Sequence, residues 1–206
     1  MGESNASFTA AGRRPTGFWM DLPEGWISID VDPSTSPAAL RQVLDSAEQA
    51  DGDIREHRAQ IEQLFGQVVA DAAQAGVKSC ACLFTVVDDV LPVQASVTIA
   101  VRSIEGEGFD VAGMFRELSE GETARRVDVA ELDAGAAVRR SGRRRHMLPG
   151  SEELVDMVSR QFYVPVPNAP GELALLTFST PTVALEAELC DLFDSMAATF
   201  VFTFDG

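Results

Sequence analysis

Apolar residues from Phe18 onward fall at every second position. Phe18, Met20 and Leu22 alternate with polar neighbours, as do Ile27, Ile29 and Val31, and Pro23-Glu24-Gly25 between them reads as a turn. Strict alternation marks half-buried strands, so this stretch predicts a hairpin. The period then changes. Ser36 before Pro37 is a helix cap followed by proline at the first helical position, and predicts a short helix ending near Asp51-Gly52-Asp53. Asp53 caps a longer helix, with Glu56 as its capping-box partner. Ile54, Ile61, Leu64, Phe65, Val68 and Ala72 share one stripe of it, and Gly76 is a good stop.

Strands dominate from there. Ser79–Val87 and Val93–Ile104 flank a turn at Asp88–Pro92, and a brief helix is expected near Val111–Leu118. Thr123–Leu132 and Ala136–Met147 flank Asp133-Ala134-Gly135, another hairpin signature. Ser151, with Glu153 and Asp156 behind it, reads as a helix cap with acids in the first turn. Arg160–Pro167 and Glu172–Thr180 form a further hairpin around Asn168–Gly171. Thr180 then caps a helix that Pro181 opens. Leu185, Leu189, Leu192, Phe193 and Met196 form its apolar face, and Phe200, Phe202 and Phe204 alternate along a last strand. At about 1.5–3 kcal/mol for each fully buried side chain, five such residues suffice to dock the helix on a sheet. The elements predict an α+β fold, an antiparallel sheet of seven or eight strands flanked by helices on both faces. Residues 1–17 read as a flexible arm and 18–206 as one domain.

Composition adds the charge balance. The 206 residues carry 32 acids against 16 bases, a formal net charge of −16. Such a body repels phosphate backbones, which excludes general nucleic-acid binding and fits a basic protein partner or self-repulsion. Lys78 is the only lysine. Arginine in place of lysine, together with abundant alanine, suggests a GC-rich, actinobacterial genome. No apolar stretch has the length of a signal peptide, and the most apolar region, Cys80–Val101, is broken by Asp88, Asp89 and Pro92. No membrane insertion is expected. Cys80 and Cys82 lie two apart on a strand, sharing a face, which makes a poor disulfide. Together with Cys190 they read as reduced, buried thiols of a cytoplasmic protein.

The aromatic residue before Leu22-Pro23-Glu24-Gly25-Trp26, the helices after it, the meander, then Tyr163–Pro167, Leu173–Pro181 and Leu192–Phe202 resemble the PsbP-like fold superfamily. That superfamily includes the extrinsic photosystem II protein, the yeast Ran-binding nuclear import factor, mycobacterial LpqN-type lipoproteins and Eag-type adaptors of type VI secretion. The likeness is strongest to actinobacterial members, some encoded at type VII secretion loci, and covers about residues 18–204. It implies a flanked antiparallel sheet, a core position for Trp26 and a binding role rather than catalysis. This chain departs from the lipoproteins in lacking a signal peptide and lipobox, and from the photosystem proteins in lacking a transit peptide. The resemblance therefore implies a cytoplasmic adaptor or chaperone whose partner is another protein. The alternatives are a small-molecule binder or enzyme with a pocket between sheet and helix, and a self-assembling homo-oligomer.

Catalytic chemistry finds no foothold. There is no G-x-S-x-G, and Gly106 and Gly108 sit in a segment too short and acidic to cradle phosphate. His57 is flanked by charges on a helix, and His146 lacks a nucleophile within reach. Asp88 and Asp89 satisfy a turn. No metal site and no cofactor are expected. What stands out is Arg139–Arg145, which holds Arg139, Arg140, Arg143, Arg144 and Arg145 and no acid. On a strand Arg139 and Arg143 face one way and Arg140 the other. Asp128, Glu131 and Asp133 on the facing segment are candidate partners, at roughly 0.2–1 kcal/mol per cross-strand pair. Either these arginines answer acids of their own sheet, or they bind an acidic partner surface. Trp19, of opposite parity to Phe18 and Met20, is a further candidate contact residue.

Overall fold

A computed structural model describes residues 12–29, 31, 76–87, 91–104, 110–120, 126–147 and 154–205. The chain is α+β, mostly antiparallel sheet with two described α-helices. The two helices expected between Ser36 and Gly76 lie outside the described residues, as do His57, Asp88, Asp89 and Ser151.

Nine strands are described: β1 (Gly17–Trp19), β2 (Trp26–Ile29), β3 (Val77–Val87), β4 (Leu91–Ser103), β5 (Arg126–Leu132), β6 (Gly135–Met147), β7 (Leu154–Pro165), β8 (Glu172–Thr180) and β9 (Val201–Thr203). Seven form one antiparallel sheet in the order β2-β3-β4-β8-β7-β6-β5, and β1 pairs with β9 in a separate ribbon. The hairpins β5–β6 and β7–β8 stand where turn chemistry places them, with Asn168 and Gly135 taking the positive φ their turns require. β3 and β4 also form a hairpin, but Leu91 and Pro92, expected in its turn, pair with Val87 and Val86 instead.

Period two sorts the side chains onto two faces. One carries Ala95, Val97, Phe162, Ala174, Leu176 and Phe178, all almost fully buried. Helix α2 (Glu186–Ala198) lies on it, and Phe193 stacks on Phe178 with centroids 5.2 Å apart. Phe162 meets Phe178 edge-on at 5.8 Å. On the opposite face Met114 of helix α1 (Val111–Glu120) packs with Val138 and Leu173. The two helices therefore flank the sheet from opposite sides.

Three local expectations are corrected. Phe18–Val31 is not a hairpin: a turn does form, with Trp26 N–H donating to Pro23 O, but β1 pairs with β9 and β2 with β3. Phe18 packs on Phe200, centroids 5.8 Å apart, which draws β1 away from β2. No helix runs through Asp156, which lies in β7 opposite Arg145. β-branched Val155 and Val158 with a waiting partner strand override the local helix signal. Thr180 ends a strand instead of capping a helix. Its Oγ1 donates to Gln94 O and accepts from Thr182 N–H, and α2 begins only at Glu186, after a 3-10 turn over Val183–Leu185.

The chain is also held earlier than Phe18. Arg13 donates to Asp205 O, Arg14 pairs with Glu172 at 2.7 Å, and Thr16 N–H bonds Thr203 O.

Candidate docking site at one end of the sheet

Strand length builds this site. β8 stops at Thr180 because Pro181 has no N–H to continue the ladder. Its neighbours run on. β4 pairs with β8 only from Ser96 onward, and β7 only from Val158 onward. Among the described residues β5 in turn reaches β6 as far as Ser141. The hairpins β3–β4 and β6–β7 consequently outrun the strands beside them at the same end of the sheet. They carry Val86 (58% exposed), Val87 and Leu154 (58% exposed), half of the six exposed large apolar side chains found among the described residues.

The same end displays arginines, and the register separates them. Arg139, Arg143 and Arg145 face α2, and Arg140 and Arg144 face the α1 side. The α2-facing ones answer acids of their own chain. Arg139 makes a bidentate pair with Asp128, at 2.7 and 2.9 Å, and reaches Asp194 of α2 at 2.7 Å. Arg160 of β7 meets both oxygens of Asp194, at 2.8 and 2.6 Å. Arg143 pairs with Glu186 in the first turn of α2, and Arg145 lies 3.4 Å from Asp156. The hydrogen bonds from Arg139 hold the Asp128 carboxyl below its ordinary range, and the same pairing raises Arg139. Glu186 likewise raises Arg143.

Asp128 is thus the partner expected from the sequence. Glu131 and Asp133 are not: Glu131 stands opposite Ala136, and Asp133 lies in the turn. Asp194, Glu186 and Arg160 are not legible from the hairpin, because they come from α2 and from β7, on the other side of β6 from Asp128. Arg140 is half-buried, 3.5 Å from the Tyr163 hydroxyl, and its Nε has no partner among the described residues. Arg144 is exposed, opposite Met157. Trp19 is 64% exposed and lies in the separate β1–β9 ribbon, opposite Val201; its indole N–H donates to Asp21 at 2.9 Å. The structure thus does not bring it into the arginine cluster.

Concavities elsewhere among the described residues include two with apolar linings. A cleft of about 450 Å³ under β1 is lined by Phe18, Met20, Leu22, Ser79, Ala81 and Val97, with Trp19 at its side. A groove of about 680 Å³ runs between α1 and the edge strand β5, with Phe115 and Val129 exposed in it. Among the described residues no group of three His, Cys, Asp or Glu side chains converges to hold a metal ion. None of the described helices is long and apolar enough to cross a membrane. Cys80, Cys82 and Cys190 are free thiols, and burial pushes Cys80 up to about 11, with Cys82 beside it adding to the shift.

No family model matches the chain, and no curated protein matches it in sequence. Among solved structures it is similar to the crystal structure of LpqN involved in cell envelope biogenesis of Mycobacterium tuberculosis, at 10% identity and a TM-score of 0.44, over 94% of this chain and 87% of that one.

Proposed function

We propose that this protein is a non-catalytic adaptor or chaperone that binds another protein at the end of its sheet where the two hairpins project. The observation that carries the reading is the coincidence of exposed Val86, Val87 and Leu154 with exposed Arg143, Arg144 and Arg145 on those hairpins. Apolar anchors beside arginine are the composition of protein interfaces, whose energy concentrates in a few such residues. The surrounding negative charge favours partners that present acids only locally, against these arginines. The test is affinity capture from the source cells under cytoplasmic conditions, using the wild type and a Val86→Asp/Leu154→Asp variant. A reproducible partner held by the wild type and lost from the variant supports the reading. Recovery of the protein alone, or equal capture by both, overturns it.

A second reading, a small-ligand carrier, is favoured by the cleft under β1, whose floor of Ser79 and Ala81 leaves room of ligand size. A small apolar ligand seated there raises the melting temperature of the wild type and not of Ala81→Phe.

A further inference from the structure

The two hairpins are not equally open toward the lane that β8 leaves. Hydrogen-bond direction alternates along a strand, so each backbone can be assigned a side. On β4, Gln94 N–H donates to Thr182 Oγ1, and Ile104 N–H donates to Gly171 O; even-numbered residues of β4 therefore face the β8 side. Beyond Gln94 the next such residue is Pro92, which has no N–H to offer. On β7, Val166 N–H donates to Glu172 O, so even-numbered residues again face the lane. There the next two beyond Val158 are Asp156 and Leu154, and both keep N–H and C=O. No described strand pairs with them on that side. Val155 and Met157 instead point their backbones at β6, opposite His146 and Arg144. One wall of the lane is blunted by proline and the other is an intact strand edge, the arrangement that accepts an added strand on one side only.

The side chains select what adds. A strand laid along β7 has Leu154 and Asp156 beside it on the α2 face, and half-buried Val155 and Met157 on the α1 face. Asp156, near Arg145, disfavours acids on the first of these. On the second, Arg144 stands exposed opposite Met157, one strand further away and within reach of a long side chain. We propose that the Leu154–Asp156 edge of β7 takes up an extended segment of a partner protein as an additional β-strand, its acidic side chains turned toward Arg144 and its apolar ones toward Leu154. The inference rests on the protein-binding reading above and names the chemistry of the partner and its mode of attachment.

The probe is a labelled octapeptide of alternating glutamate and valine, titrated into the full chain at low salt, with backbone amide exchange followed by NMR. The Leu154 and Asp156 amides are expected to exchange freely in the unbound protein and to become protected with peptide, while Val155 and Met157 are protected throughout. Arg144→Gln, at an exposed position, is expected to weaken binding by about tenfold and to reduce its salt dependence. A lysine–valine octapeptide is expected not to bind. A glutamate–valine peptide N-methylated at alternate amides, in both registers, removes the donors without touching the protein, and is also expected not to bind. Undiminished binding of the methylated peptides, unchanged affinity in Arg144→Gln, or no binding by the wild type at millimolar peptide each overturns the proposal. The two readings fail separately. If a captured partner is retained by Arg144→Gln and not displaced by the peptide, the adaptor stands and this edge is not its site. If the peptide binds but no partner is ever captured, the edge stands without the adaptor.

Discussion

Individual side chains here divide by what they touch. Cys80 and Asp128 both sit on strands of the same sheet, yet their environments push them in opposite directions. Burial disfavours the Cys80 thiolate and raises its pKa to about 11. At pH 8 roughly one such thiol in a thousand is ionised, against about a quarter for an ordinary one. Alkylation of Cys80 in the folded protein is expected to run about two orders of magnitude slower than in urea, read by mass spectrometry of the modified peptide. Asp128 is instead held low, first by hydrogen bonds from Arg139. A carboxyl with a depressed folded pKa stabilises fully above the ordinary unfolded value, near 4, and loses that stabilisation as pH falls through the folded value. The stability difference between wild type and Asp128→Asn is therefore expected to be constant from pH 7 to pH 5. It is expected to shrink below about pH 4, measured by urea unfolding. A difference that grows on acidification contradicts this assignment.

Elements were legible from the sequence where their own turn chemistry fixed them. The β5–β6 hairpin around Asp133–Gly135 and the β7–β8 hairpin around Asn168–Gly171 need only local information, and both stand as read. What failed was pairing decided elsewhere. Nothing within Phe18–Val31 tells that Phe18 meets Phe200, and nothing near Ser151 tells that Asp156 lies opposite Arg145. The arginine cluster follows the same rule. Asp128 is visible as the partner of Arg139 because it is one hairpin turn away, whereas Asp194 is 55 residues distant and reaches the cluster only when α2 docks. Asp194 accepts from both Arg139 and Arg160, all three only partly exposed, and so ties α2 to two strands at once. Asp194→Asn is expected to cost about 2–3 kcal/mol, since it leaves two guanidinium groups short of a partner. Asp156→Asn, whose pair with Arg145 is long and solvent-exposed, is expected to cost under about 0.5 kcal/mol. Equal costs in chemical denaturation refute the anchoring role.

For the molecule as a whole, the aromatic stack under α2 outweighs any surface pair. Phe193 is fully buried on Phe178, and Phe193→Ala is expected to destabilise by about 3–5 kcal/mol, the range for emptying an aromatic core site. Trp19→Ala, at an exposed position, is expected to stay within about 0.5 kcal/mol in the same measurement. The β1–β9 ribbon has a different kind of consequence. It joins Thr16 to Thr203 across 187 residues, while Met20 and Leu22 just after β1 pack into the main core. At a synthesis rate of about 5–20 residues per second, β1 waits roughly ten to forty seconds on the ribosome before β9 exists. Phe18, Met20 and Leu22 leave the exit tunnel long before the surface that covers them. The first of the described strands thus stays uncovered longest, and the last of them to be translated is the one that closes it.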